Sequence, residues 1–307
     1  MLNKIRSFSF CRNFKFTAII AAIFVCVGLI GLILLPFGVQ LFNFDIDFVG
    51  GTTMQFDLHT PVNASVTSDV ASIVQEVSGK AASSVTKAGD SGSQVVIKTL
   101  ELDSETRDAI FQAISEKYGL QDTDNLKSDY VSASVGSDLR DKAIKASLIA
   151  VALILLYITI RFEFRSGIAA IIALVHDLLV MLSMYIIFRI PFNMNFIAAA
   201  LTIFGYSINA TIVVFDRIRE NRKKEMGKNT TFAEIVDKSI HQTMTRSLNT
   251  TITTLIVMVC LLILGVSSIR NFAAPICVGV IAGCFSSVCL SGPLWNLFTP
   301  KNDVRTK

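Results

Sequence analysis

Charge is scarce in this chain: 17% of its 307 residues are charged against 52% hydrophobic. That balance is too apolar for an ordinary soluble domain of this size and points to a membrane protein. A formal net charge of +4 implies no nucleic-acid role, because in such a chain charge informs through its placement around apolar spans. Cysteine is missing from the large polar segment. The six present (Cys11, Cys26, Cys260, Cys277, Cys284, Cys289) fall in apolar stretches or near the N-terminus. This excludes a disulfide framework in that segment, the spacing matches no metal site, and the thiols read as small packing residues. A catalytic triad, a P-loop and a dinucleotide fingerprint are all lacking, so neither an enzyme nor a bound cofactor has residues to support it.

What is abundant is long apolar sequence. Phe16 to Leu35 runs about twenty residues without a charge, enough at ~1.5 Å per residue to cross a ~30 Å hydrocarbon core. Lys4, Arg6, Arg12 and Lys15 precede it. The run is too long for a signal-peptide h-region and has no small-x-small cleavage site before Pro36, so it reads as a retained first span. Five more spans are expected near 143–160, 167–188, 196–215, 248–266 and 272–290. Lys and Arg gather in Arg161–Arg165, Asp216–Arg246 and the tail (Lys301, Arg305, Lys307), all on the side that holds the N-terminus. The positive-inside rule then places both termini in the cytoplasm. The expected division is 1–36 N-terminus and first span; 37–141 a polar domain outside the cytoplasm; 142–292 spans two to six with a cytoplasmic amphipathic loop at 216–246; and 293–307 a cytoplasmic tail.

The polar segment has sixteen Asp plus Glu against eight Lys plus Arg between Asp45 and Lys142. Its pattern gives a strand near 52–59, then a helix capped by Ser68 with Val70, Ile73, Val74 and Val77 on one face. Strands near 83–87 and 94–100, a helix ending at Gly119 and a strand near 130–135 follow. The order β-α-β-β-α-β is that of a ferredoxin-like α+β unit. In the loop at 216–246 a helix starting at Asn229 or Thr230 would carry Phe232, Ile235, Val236 and Ile240 on one face, lying on the inner membrane surface. Gly279 and Gly283 form a G-x-x-x-G, and Gly167, Ala170 and Ala173 share one side of the third span; both read as close packing inside one subunit.

An ionisable side chain deep in the bilayer costs a few kcal/mol and marks a candidate site. Asp177, beside His176 in the third span, is a protonatable candidate or a structural hydrogen-bonding group. Asn209, in the fourth span, cannot change charge; it orients a neighbour or bonds between helices. Arg246 opens the fifth span ahead of Thr250, Thr251, Thr253 and Thr254, at about the level of Asn209 and Ala210. It either joins such a site or snorkels to the interface.

Two stretches, "FDIDFVGGTTMQFDL" (Phe44 to Leu58) and "GYSINATIVVFDRIREN" (Gly205 to Asn221), resemble the SecF family of the bacterial Sec protein-export machinery, within the resistance-nodulation-division superfamily. "RFEFRSGIAAIIALVHD" and "HQTMTRSLNTTITT" fit the same pattern, and the likeness covers Phe16 to about Phe298. The resemblance implies an accessory subunit that works with SecD, and with the SecYEG channel and YajC, on exported unfolded polypeptide. It implies the proton or sodium gradient in place of a cofactor. Asp47, Gly50 and Gly51 correspond to the motif after the first span, Asp216 and Arg217 to the charged exit of the fourth, and Arg246 to the family's intramembrane arginine. The family commonly has an aspartate after the asparagine where this chain has Ala210, which binds no proton. The relay then rests on Asp177 with an acid from SecD, or the coupling route differs, or coupling is weak. A scaffold subunit without ion coupling, and half of a lipid or drug exporter, are the alternative functions.

Overall fold

The computed structural model describes residues 8–299 apart from 38, 40, 90, 162, 226–229 and 266. Lys4, Arg6, Asn229, Lys301, Arg305 and Lys307 lie outside the described residues. The chain forms two compact units: residues up to Asn43 together with those from Ala146 onward, and Phe44–Lys145.

Helix α1 (Phe14–Leu34) leads into the Phe44–Lys145 unit, which opens with the single turn α2 (Ile46–Val49). Strand β1 (Gly51–Asp57), helix α3 (Ala64–Ser78), strands β2 (Ser84–Ala88) and β3 (Gln94–Thr99), helix α4 (Ser104–Tyr118) and strand β4 (Asn125–Val131) follow. The strands form one sheet in the order β2-β3-β1-β4, antiparallel throughout, with Met54 opposite Ile97 and Phe56 opposite Val95. Strand alternation sends these four to the face that carries Val70, Ile73 and Val74 of α3 and Ile110 and Ile114 of α4, and all are buried. Each is worth roughly 1.5–3 kcal/mol relative to exposure.

Two boundaries differ from the sequence reading. Asn63, not Ser68, caps α3, its side chain accepting from the Val66 amide at 3.0 Å. The helix therefore starts earlier, and Val77 sits at its exposed margin. The last strand ends at Val131, because α5 (Ala133–Arg161) begins directly after it. As an edge strand with mostly exposed side chains, β4 shows no inside–outside alternation from which to place it.

The unit that holds α1 continues with α6 (Phe164–Ile187), α7 (Met194–Lys224), α8 (Phe232–Leu264) and α9 (Ser267–Phe285). A π-helical turn, Ser286–Ser291, then runs without a break into α10 (Gly292–Phe298). Among the described residues, six stretches are long and apolar enough to cross a membrane: Phe14–Phe37, Ala133–Arg161, Phe164–Ile187, Met194–Lys224, Phe232–Leu264 and Ile269–Phe298. Residues 293–298 thus belong to a helix that the expected tail did not include. Gly279 and Gly283 face α7: a Cβ on Gly279 would stand 2.5 Å from the Ile203 side chain, and one on Gly283 3.3 Å from Ser207.

The expected loop at 216–246 is largely two helix ends. Helix α7 continues to Lys224, and α8 starts at Phe232 behind a capping box in which Thr231 and Glu234 satisfy each other's amides. Phe232, Ile235, Val236 and Ile240 do share a face, but that face is buried in the protein core with Phe215, Ile218 and Trp295. The apolar period has a protein partner where a lipid surface was expected. Asn221, 3% exposed, ties the two ends by donating to Ser239 and Gln242 at 2.8 Å each.

The segment ahead of α1 is also fastened to α8. The Ser9 hydroxyl donates to Asp237 Oδ2 at 2.5 Å and the Cys11 amide to Oδ1 at 3.0 Å. His241 Nε2 lies 2.9 Å from the Phe8 carbonyl, and burial together with the Asp237 carboxylate pushes the Cys11 thiol up. Farther along, the Gly28 amide donates to Ser183 Oγ of α6 at 2.7 Å. That hydroxyl lies 2.9 Å from the Phe24 carbonyl and 2.8 Å from Leu179 O. Glycine is required there, since a Cβ would meet the Leu179 carbonyl at 2.4 Å.

Candidate functional site

Asp177 is completely enclosed, at 0% exposure. Its helix α6 packs against α1, α7 and α9, and small residues on that face (Gly167, Ala170, Ala173) let the neighbours close in. Three groups hold the carboxylate. His176 Nδ1 lies 2.9 Å from Oδ1, and the hydroxyls of Ser207 on α7 (2.5 Å) and Ser286 at the head of the π turn (2.8 Å) both donate to Oδ2. The carboxylate thus joins three helices at one point. His176 is itself 7% exposed, its ring stands 5.8 Å from that of Phe285, and its Nε2 has no hydrogen-bond partner among the described residues. Hydroxyls both donate and accept, so Ser207 and Ser286 fit a carboxylate and a carboxylic acid alike.

Asn209 and Arg246 do not reach Asp177. They line a separate pocket with Tyr206, Ala210, Val213, Ser247 and Thr250, which places the arginine beside the alanine as the sequence levels suggest. Asn209 and Arg246 are exposed on α7 and α8, and neither side chain has a hydrogen bond or ion pair among the described residues. Ser247 Oγ is buried there without a partner among them. The threonines that follow bond back to their own helix, Thr250 to the Arg246 carbonyl and Thr254 to that of Thr250. Tyr206 donates to Thr251 at 2.7 Å.

The motif residues have structural surroundings. Asp47 lies in the first turn of α2, whose cap Asp45 accepts from the Ile46 amide at 2.9 Å and from Lys98 Nζ at 2.8 Å. Gly50 and Gly51 adopt φ of 76° and 137°. A Cβ on the first would strike Ala133 Cα at 2.6 Å, and one on the second the Thr99 carbonyl at 2.6 Å. Asp216 stands 3.6 Å from Arg161 on the surface. Arg217 donates to Gln242 at 2.6 Å and to Glu220 at 2.5 Å, so it pins the α7–α8 hairpin. Sequence reasoning missed Ser207, Ser286, Ser183 and Asn221. Within GYSINATIVVFDRIREN the signal for Ser207 and Asn221 was their spacing on the same helical face as Val214 and Ile218, which are buried.

Six membrane-length helices, a separate four-stranded domain and a carboxyl enclosed where three of those helices meet define a polytopic membrane protein built around an intramembrane polar centre. Residues 110–301 match the family model described as protein export membrane protein SecD/SecF, C-terminal. The protein translocase subunit SecF of Sebaldella termitidis is 38% identical over 255 residues, 82% of this chain and 81% of that one. The SecF of Helicobacter pylori is 34% identical over 296 residues, 95% and 87% of the two. Among solved structures, SecDF from Thermus thermophilus, titled a translocon-associated membrane protein, superposes with a TM-score of 0.81 at 32% identity. The match takes in 94% of this chain and 38% of that longer one. The chain belongs to the SecD/SecF family of protein-export membrane proteins, on its SecF side. Its role is in protein transport, as a multi-pass subunit of the translocase.

Proposed function

We propose that the chain works with SecD as an ion-driven accessory of polypeptide export, and that Asp177 is the membrane residue that takes up and returns the coupling ion. The observation behind this reading is the complete enclosure of Asp177 at the meeting of three helices, a placement costly enough to mark function. Ala210 stands where the resemblance implies an acid, so an acid of SecD meets Arg246 and Asn209 on their open face. The Phe44–Lys145 unit is the ferredoxin-like extracytoplasmic domain expected at 37–141, and both termini lie in the cytoplasm. SecYEG, YajC and unfolded exported polypeptide are the further partners, with the ion gradient in place of a cofactor. In cells that depend on this subunit, Asp177→Asn and Arg246→Met each slow secretion of a reporter and abolish the ion flux that accompanies it. Unchanged secretion and flux in both would leave a scaffold.

A further inference from the structure

Ser286 differs from Ser207 in having a second acceptor. Its hydroxyl is 2.8 Å from Asp177 Oδ2 and 3.2 Å from the Gly283 carbonyl, so one hydroxyl proton stands between a side chain on α6 and the backbone of its own helix. It is also the first residue of the π turn, a local widening that in helices frequently marks functional sites. We infer that Ser286 is the positioning residue through which the protonation state of Asp177 reaches the last membrane helix, an inference that rests on Asp177 acting as the relay.

The proton count closes without any other group. With Asp177 charged, Oδ2 accepts from Ser207 and Ser286. When a proton arrives on Oδ2, that oxygen keeps the bond from Ser207 and donates its own proton to Ser286 Oγ; the Ser286 proton turns to the Gly283 carbonyl. Gly283 O is the carbonyl that an ordinary helix pairs with the Ser287 amide and a π turn with the Val288 amide. Occupying it with a hydroxyl favours the wide turn, and releasing it lets an amide close the ordinary one. Among the described residues, the ionisable neighbour of Asp177 is His176 on its own helix. Helix α7 presents Ser207, and the last helix presents Ser286 and the Phe285 ring; none of these carries charge.

The chain holds a reporter at the right place. Its one tryptophan, Trp295, follows the π turn in α10, 2% exposed, its ring 5.0 Å from Phe215 and 5.5 Å from Phe232. The test is the emission of Trp295 across a pH titration of the full chain in phospholipid nanodiscs, in a His241→Gln background, because the His241 ring packs on Phe10 of the same core. The parent shows a stepwise shift. Ser286→Ala removes the step, Ser286→Thr restores it, and Ser207→Ala keeps it with a moved midpoint. Asp177→Asn holds the emission at the acid-side value. A full-amplitude step in Ser286→Ala overturns the inference, even where Asp177→Asn abolishes both step and flux and the relay itself stands. A step that survives in Asp177→Asn, with flux intact, overturns relay and switch together. Should Asp177→Asn fail to fold, the contrast between the two serine variants decides.

Discussion

Replacing Gly50 with alanine tests whether the motif after the first span is built by backbone geometry. Gly50 has φ 76° and ψ 164°, a region that only glycine occupies freely and that costs another residue about 1–3 kcal/mol. The new Cβ would lie 2.6 Å from Ala133 Cα and 2.8 Å from Ala133 N. These are backbone atoms with no rotamer to yield, and forcing a packed neighbour aside costs about another 1–3 kcal/mol. Together these give roughly 2–6 kcal/mol, or about 30-fold to 25,000-fold faster opening at 1.36 kcal/mol per decade. Gly79→Ala supplies the matched control. Gly79 also has positive φ, 67°, but nothing lies within 4 Å of where its Cβ would stand, so only the conformational cost of about 1–2 kcal/mol applies. Hydrogen exchange of the slowest amides of β1 and β3 in the full chain reads both. If Gly50→Ala exchanges no faster than Gly79→Ala, the collision with Ala133 does not govern the motif.

Two further outcomes are expected. Asn221→Ala leaves the buried Ser239 hydroxyl without its donor and takes one of two donors from Gln242, which costs about 1–3 kcal/mol and speeds exchange in the first turns of α8 while the sheet amides keep their rates. In the sheet domain, the Asp69 carboxyl is held below its usual value by hydrogen bonds from Lys117 and Tyr118. Tyr118 is pushed from 10.0 up to about 12 by burial and by the Asp69 carboxylate. A depressed acid stabilises the fold above its unfolded value and loses that contribution as pH falls through the folded one. A raised phenol stabilises below 10.0 and loses its contribution as pH rises toward about 12. Urea midpoints should therefore fall on both flanks, and Asp69→Asn should flatten both; an unaltered alkaline flank in that variant would break the assigned link between the two side chains.

Span number was legible because an uninterrupted apolar run of about twenty residues has few other uses. Span ends were not: α7 and α8 continue as helices beyond the apolar runs, through Arg222 and back from Phe232, where the sequence turns charged. The period of Phe232, Ile235, Val236 and Ile240 was correctly helical, but periodicity names a face and not its occupant. Asp177 stood out as an acid among apolar residues. Its partners did not, because Ser207 and Ser286 lie 30 and 109 residues away and serine in a membrane helix is commonplace. The π turn was not legible: Ser286–Ser291 (SSVCLS) is rich in serine, but serine in a membrane helix does not name a π turn.

Ser183 grips α1 through its main chain, at the Gly28 amide and the Phe24 carbonyl. It lies six residues beyond Asp177 on the same helix, about 9 Å along the axis. With Asp237 gripping the other end through Ser9 and Cys11, α1 is clamped at two heights to two different helices. It is free neither to spin nor to slide alone: a tilt of the Asp177 helix must lever the first helix about its N-terminal end, without any side chain of that helix having to recognise the change.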